Sequence, residues 1–270
     1  MEKSQLVIIL VIVTLILTII NLGMVFSVNH RLNNFLKTES PSENLNTLNA
    51  EPEQQVPSVQ KSAKPTADLF VMSYCPYGLQ MEKVLIPVAK LLGDKADIKI
   101  RWVSYAMHGQ KEVEENLRQY CIQKEQSGKY WDYLICFVTP TDTESCQKQT
   151  GIDTGKLSSC YQSSDKQFGI MDSFNDQSTW LSGRFPQFNI DKSLNQQYGV
   201  QGSPTFILNG KEVAVSRNPE SVKAAICSAF LSAPSECKTQ LSSNEAAPGA
   251  GPIDASPSQG GNMDSAGCGV

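Results

Sequence analysis

Histidine is nearly absent from this chain of 270 residues: His30 and His108 are the only two, which leaves no basis for a histidine-built metal site. The eight cysteines include no Cys-x-x-Cys pair, so zinc and iron–sulfur binding give way to structural disulfides, and no metal or cofactor is read from the sequence. A net charge of −4 leaves no excess of basic residues for nucleic acid. Internal repeats are missing too, which excludes a solenoid.

Long apolar runs are confined to one place. Residues 6–28 are uncharged and long enough to span a bilayer. The run exceeds the ~7–15 residues of a signal-peptide core, so an uncleaved signal anchor is preferred to a cleaved signal peptide ending near Val25 and Ser27. Residues 1–5 form a short tail before it. Eight cysteines, most of them suited to disulfides, argue that the rest of the chain lies outside the cytoplasm, in an oxidising compartment, as a single-pass protein of the cell membrane. Residues 29–65, polar for most of their length, read as a flexible tether. Residues 238–270, rich in Ser, Ala, Gly and Pro, read as a second disordered arm. Between them, residues 66–237 have the size of one domain.

That domain opens on a strand-like run, Asp68-Leu-Phe-Val-Met-Ser-Tyr, which ends on Cys75-Pro-Tyr-Gly78. Met81, Val84, Leu85, Val88, Leu91 and Leu92 then recur at helical spacing, with Pro87 as an expected kink and Gly93 as a stop. A cysteine at a helix N-terminus faces unpaired amide N–H groups and the positive end of the helix dipole, both of which favour thiolate. Pro76 suits the first helical position. Residues 97–104 alternate as a half-buried strand, completing a β-α-β unit. Far downstream come a strand at 205–208, an Asn209-Gly210 hairpin turn, a returning strand and a last helix from Pro219.

The Cys75-Pro-Tyr-Gly segment, the Val200-Gln-Gly-Ser-Pro-Thr205 loop and the β-α-β…β-β-α order resemble the thioredoxin fold, in its DsbA-like form with an all-helical insertion at about 110–182. Tyr120-Cys121, Lys129 to Phe137, Cys146 and Cys160 are similar to the cysteine-laced helices of gamma-interferon-inducible lysosomal thiol reductases. The resemblance implies an α/β thioredoxin-like fold and thiol–disulfide chemistry at Cys75. It implies that Pro204 is a cis-proline facing that thiol, and that Pro76, Tyr77, Ser203, Pro204 and Thr205 form the substrate-binding groove. The departure is Gly78, which stands where a second cysteine three residues after Cys75 would be.

The other cysteines sort by place. Cys227 on the last helix and Cys237 just beyond it would pin the chain's exit. Cys136 and Cys146 flank a Thr/Pro/Asp-rich turn, which leaves Cys121 with Cys160, although four cysteines allow three pairings. Cys268 remains. Its plainer reading is an incidental thiol on a disordered arm, and its sharper one is a resolving thiol that visits Cys75.

A single thiolate can attack a substrate disulfide and form a mixed disulfide that a second thiol must release. The leading expectation is therefore a membrane-anchored thiol–disulfide oxidoreductase or isomerase acting on disulfide- or thiol-containing proteins, with a membrane redox partner as a candidate. The alternative is a redox-inactive, chaperone-like module that keeps the groove for peptides.

Overall fold

The computed structural model describes residues 59–256 and 268–269; the expected membrane anchor at 6–28 and most of the tether at 29–65 lie outside the described residues. No helix among the described residues is long and apolar enough to cross a membrane.

Strand β1 (Thr66–Val71) leads into helix α1 (Pro76–Leu92), which runs unbroken through Pro87 and stops at Gly93, where φ is +52°. Strand β2 (Asp97–Trp102) returns parallel to β1, with Thr66 opposite Asp97 and Val71 opposite Trp102. Strand β4 (Thr205–Leu208) pairs antiparallel with the other side of β1, and β5 (Lys211–Glu212) follows it across a two-residue turn. Asn209 and Gly210 both have positive φ, 47° and 79°, as that tight hairpin turn requires. The sheet order is β2-β1-β4-β5, and α8 (Pro219–Ser228) packs beside α1. Two parallel strands joined by a helix, followed by an antiparallel hairpin and a closing helix, define a thioredoxin-like α/β fold.

Strand alternation divides the interior. Ala67, Leu69 and Val71 face the larger core, with Val84, Leu85 and Val88 of α1 and Val222 and Ile226 of α8. Phe70 points the other way, into a smaller cluster with Met72, Val103, Tyr105, Ile207, Cys75 and Cys268.

The insertion is helical, with α2 (Gln110–Glu125), α3 (Ser127–Phe137), α4 (Thr143–Gln149), α5 (Thr154–Phe168) and α6 (Ile170–Asn175). Asp142 and Asp153 cap α4 and α5 by accepting from Ser145 and Lys156 N–H groups. Disulfides join Cys121 to Cys160 and Cys136 to Cys146, and a third joins Cys227 to Cys237. Buried Glu115 ties the helices together, accepting from Arg118, Gln119, Tyr133 and Thr143.

Helix α7 (Lys192–Tyr198), which the hydrophobic pattern does not announce, covers the outer edge of β2. Asp191 accepts from Trp102 N–H, Asn195 bonds Ser104 N–H and Trp102 C=O, and Gln123 of α2 bonds both backbone groups of Ile100. These side chains satisfy an edge that would otherwise be open to another strand.

The expected disordered arm is corrected over its first half. Residues 239–256 pack on the domain, with Ala246 and Ala247 buried. Ala246 N–H donates to Arg217 C=O, Gly249 N–H to Pro76 C=O and Gly251 N–H to Val138 C=O. The physical reason is size: Ala and Gly let this backbone approach the first turn of α1, so a composition that reads as low complexity serves close contact instead.

Candidate functional site

Cys75 is the N-cap of α1, in extended conformation (φ −68°, ψ 124°), with Pro76 next to it in the first turn. Its own N–H donates to Met72 C=O, and its C=O accepts from Leu79 N–H. The loop before it is held from the insertion: Ser73 N–H donates to Asn116 Oδ1 and Tyr74 N–H to Glu112 Oε2. Glu112 is fully buried and also accepts from Met107 N–H, His108 N–H and His108 Nδ1. The first helix of the insertion therefore positions the cysteine.

Opposite Cys75 lies the short strand β3 (Gly202–Ser203), followed by a cis peptide bond between Ser203 and Pro204. The Ser203 carbonyl oxygen is 3.4 Å from Cys75 Sγ. The Ser203 hydroxyl is turned inward, accepting from Met72 N–H at 3.0 Å. Thr205 Oγ1 donates to Gly202 C=O and closes the loop.

Cys268 is not an incidental free thiol in this structure. It is bonded to Cys75 with the two Cα atoms 6.0 Å apart, and among the described residues no free cysteine remains. The reason it reaches Cys75 is a strand: β6 (Cys268–Gly269) pairs antiparallel with β3, Ser203 opposite Cys268 and Gly202 opposite Gly269. The disulfide is largely buried, with Cys75 fully buried and Cys268 5% exposed.

Gly78 is closed to a second cysteine in this arrangement. A Cβ there would lie 2.7 Å from Ser203 Oγ, 3.0 Å from Met72 O and 3.3 Å from Cys75 Cβ. The Ser203 hydroxyl fills the space that a side chain at position 78 would need.

Beside the disulfide, Tyr77, Gly202, Ser203, Pro204, Thr205, Arg217 and Cys268 line a cleft of about 450 Å³. Arg217 lies over the Tyr77 ring, 4.6 Å from its centroid, and donates to Gln80 Oε1. Of the residues expected in the groove, Tyr77, Ser203, Pro204 and Thr205 line it. Pro76 instead accepts from Gly249 N–H. Sequence reading missed Arg217, Asn116 and Glu112, since a lone arginine before a helix cap and polar residues on a helix carry no motif.

Under the site, Glu82 of α1 is fully buried, and neither carboxylate oxygen has a hydrogen-bond partner among the described residues. Burial, reinforced by the nearby Glu115 charge, pushes its pKa well above the usual carboxylate range. Lys83 beside it has no partner for its ammonium either, and burial pushes its pKa down.

No family model and no curated protein matches the chain. Solved structures do resemble it in part. Oxidised BdbD from Bacillus subtilis is 21% identical, with 62% of this chain and 89% of that one covered at a TM-score of 0.41. Reduced DsbA from Mycobacterium tuberculosis is 15% identical, covering 70% and 91% at 0.47. The reduced disulfide bond oxidoreductase DsbG of the same organism is 14% identical, covering 67% and 90% at 0.44. At such scores the fold assignment rests on the strand order and helix placement described above.

Proposed function

We propose that this chain is a thiol–disulfide oxidoreductase acting on protein disulfides through Cys75, with Cys268 as the second thiol of its cycle. The observation that carries the reading is the bond between a helix-capping cysteine and a cysteine 193 residues away, beside the Ser203-Pro204 loop. In the reduced form, Cys75 thiolate attacks a substrate disulfide and makes a mixed disulfide, expelling one substrate thiolate. Cys268, deprotonated, then attacks Cys75 Sγ; the second substrate sulfur leaves and takes up a proton. Two electrons have passed from the cysteine pair to the substrate, and the reverse sequence oxidises a substrate dithiol. Attack on the substrate sulfur of the mixed disulfide by a different substrate thiolate forms a new substrate disulfide and releases Cys75 as thiolate, which is isomerisation.

Residues 6–28 would anchor the domain to the outer face of the cell membrane, within reach of a membrane redox partner. Insertion is checked by whether the protein stays with membranes through alkaline extraction. The oxidoreductase reading is tested with Cys75→Ser and Cys268→Ser on a peptide disulfide. Loss of mixed-disulfide formation in Cys75→Ser, and an accumulating mixed disulfide in Cys268→Ser, are the expected outcomes. Unchanged turnover in Cys75→Ser would overturn the role of Cys75, and a wild type that binds the peptide without any thiol exchange would leave the redox-inactive peptide-binding module as the better reading.

A further inference from the structure

The tail does more than deliver a sulfur. Cys268 reaches Cys75 as a strand laid antiparallel on β3, with backbone pairing at Gly202 and Ser203. An extended substrate held beside Cys75 by backbone hydrogen bonds would use the same edge once the tail has left it, because strand addition needs a free row of N–H and C=O groups. β3 is two residues long and is followed by Pro204, which has no N–H to donate, so the edge has room for one strand at a time.

Resting on the oxidoreductase reading, we propose that residues 268–269 are an internal pseudosubstrate: β3 is the docking edge for extended, cysteine-bearing protein segments, and the Cys75–Cys268 form is self-blocked. The occupant also indicates which segments fit. In the tail, Cys268 is flanked by Gly267 and Gly269, and Gly269 lies opposite Gly202, a crossing with no side chain on either strand. Segments with small residues next to the cysteine match this seat.

A direction of reaction follows. Displacement at sulfur is in line, so the entering and leaving sulfurs lie on opposite sides of Cys75 Sγ. A substrate thiol docked on β3 cannot attack Cys75 while the tail holds that edge, so the closed form is a poor oxidant. An external dithiol must open it first. Its thiolate attacks Cys268 Sγ, Cys75 leaves as thiolate, and the donor's second thiol displaces Cys268 and leaves as a disulfide; two electrons enter the protein. The open form then takes a substrate disulfide on β3. Resolution by Cys268 waits until the substrate strand leaves that edge, so strand exchange precedes bond exchange.

The test uses the full chain in detergent and, as probe, an extended peptide of unrelated sequence whose single cysteine is flanked by alanines and activated as a thiopyridyl disulfide. Backbone amide exchange over residues 201–205 is compared in oxidised wild type, reduced Cys268→Ser, and Cys268→Ser carrying the peptide on Cys75. Protection in the first and third states, with at least tenfold faster exchange in the second, is the expected result. Exchange in the peptide adduct as fast as in the reduced variant would overturn the shared seat, while Cys75-dependent adduct formation would still uphold the oxidoreductase reading. Failure of the peptide to label Cys75 at all would sink both. A second measurement takes oxidised Gly269→Pro, whose bond is checked by the absence of free thiols. It should oxidise a dithiol peptide at least tenfold faster than oxidised wild type, since proline is a poor partner at a paired strand position; an equal rate would mean that the strand blocks nothing.

Discussion

Replacing Gly78 by alanine puts a methyl group 2.7 Å from Ser203 Oγ and 3.0 Å from Met72 O. The hydroxyl can turn away only by giving up its bond to Met72 N–H, and leaving that buried donor unpaired costs about 1–3 kcal/mol. The Met72 carbonyl is backbone and yields less easily; overpacking of this kind costs about 1–3 kcal/mol more. Alanine returns about 1 kcal/mol of helix propensity. The net expectation is a loss of about 1–5 kcal/mol, where an ordinary helical glycine would show a gain. Urea unfolding of the oxidised protein measures it as a fall in midpoint at constant slope. The diagnostic step is the double variant with Ser203→Ala, which removes the clashing oxygen. It should be more stable than the sum of the single effects by about 1 kcal/mol or more, a coupling expected only of groups in contact. Additive effects, or a Gly78→Ala protein more stable than wild type, would refute the claim that Ser203 occupies this space. By the same reasoning Gly78→Cys alone does not simply rebuild a two-cysteine site, and Gly78→Cys with Ser203→Ala should be the better tolerated of the two.

Glu82→Gln should stabilise the protein at neutral pH. The folded-state pKa of Glu82 is raised by burial, so its stabilising share is whole below the unfolded value of about 4.3 and is lost as pH rises through the folded value. The variant's advantage should therefore be near zero at pH 4 and grow with pH in unfolding experiments. Asn116→Ala strips Ser73 N–H of its acceptor and should cost about 1–3 kcal/mol while leaving helical content unchanged by circular dichroism. Removing Cys121–Cys160, with a separation of 39 residues, should cost about 4 kcal/mol, against about 3 kcal/mol for Cys136–Cys146 at 10 residues, if loop entropy governs both.

What could be read from the chain was what local chemistry encodes. Cys75-Pro76 marks a helix start, the apolar spacing from Met81 to Leu92 gives its buried face, and Asn209-Gly210 can only be a tight turn. Cys136 and Cys146, and Cys227 and Cys237, are close in sequence, which made their pairing legible. The pairing of Cys75 with Cys268 was legible only as one option, because it depends on a strand of two residues meeting an edge 65 residues away. The packing of 239–256 was hidden by composition, since Ala, Gly and Pro look alike in a tether and in a close backbone contact. The filling of position 78 by Ser203 is a matter of ångströms between distant segments, and no periodicity records it.

If Cys75 and Cys268 form one redox-active pair and the other six cysteines are structural, the two sets must part on reduction. Equilibrating the native protein in dithiol–disulfide buffers of graded potential, followed by acid quench, alkylation and peptide mapping, tests it most directly. Cys75 and Cys268 should become alkylated together, along a single two-electron curve, while Cys121, Cys160, Cys136, Cys146, Cys227 and Cys237 stay oxidised. Alkylation of Cys75 with Cys268 still oxidised elsewhere, or reduction of all four bridges only on unfolding, would contradict it.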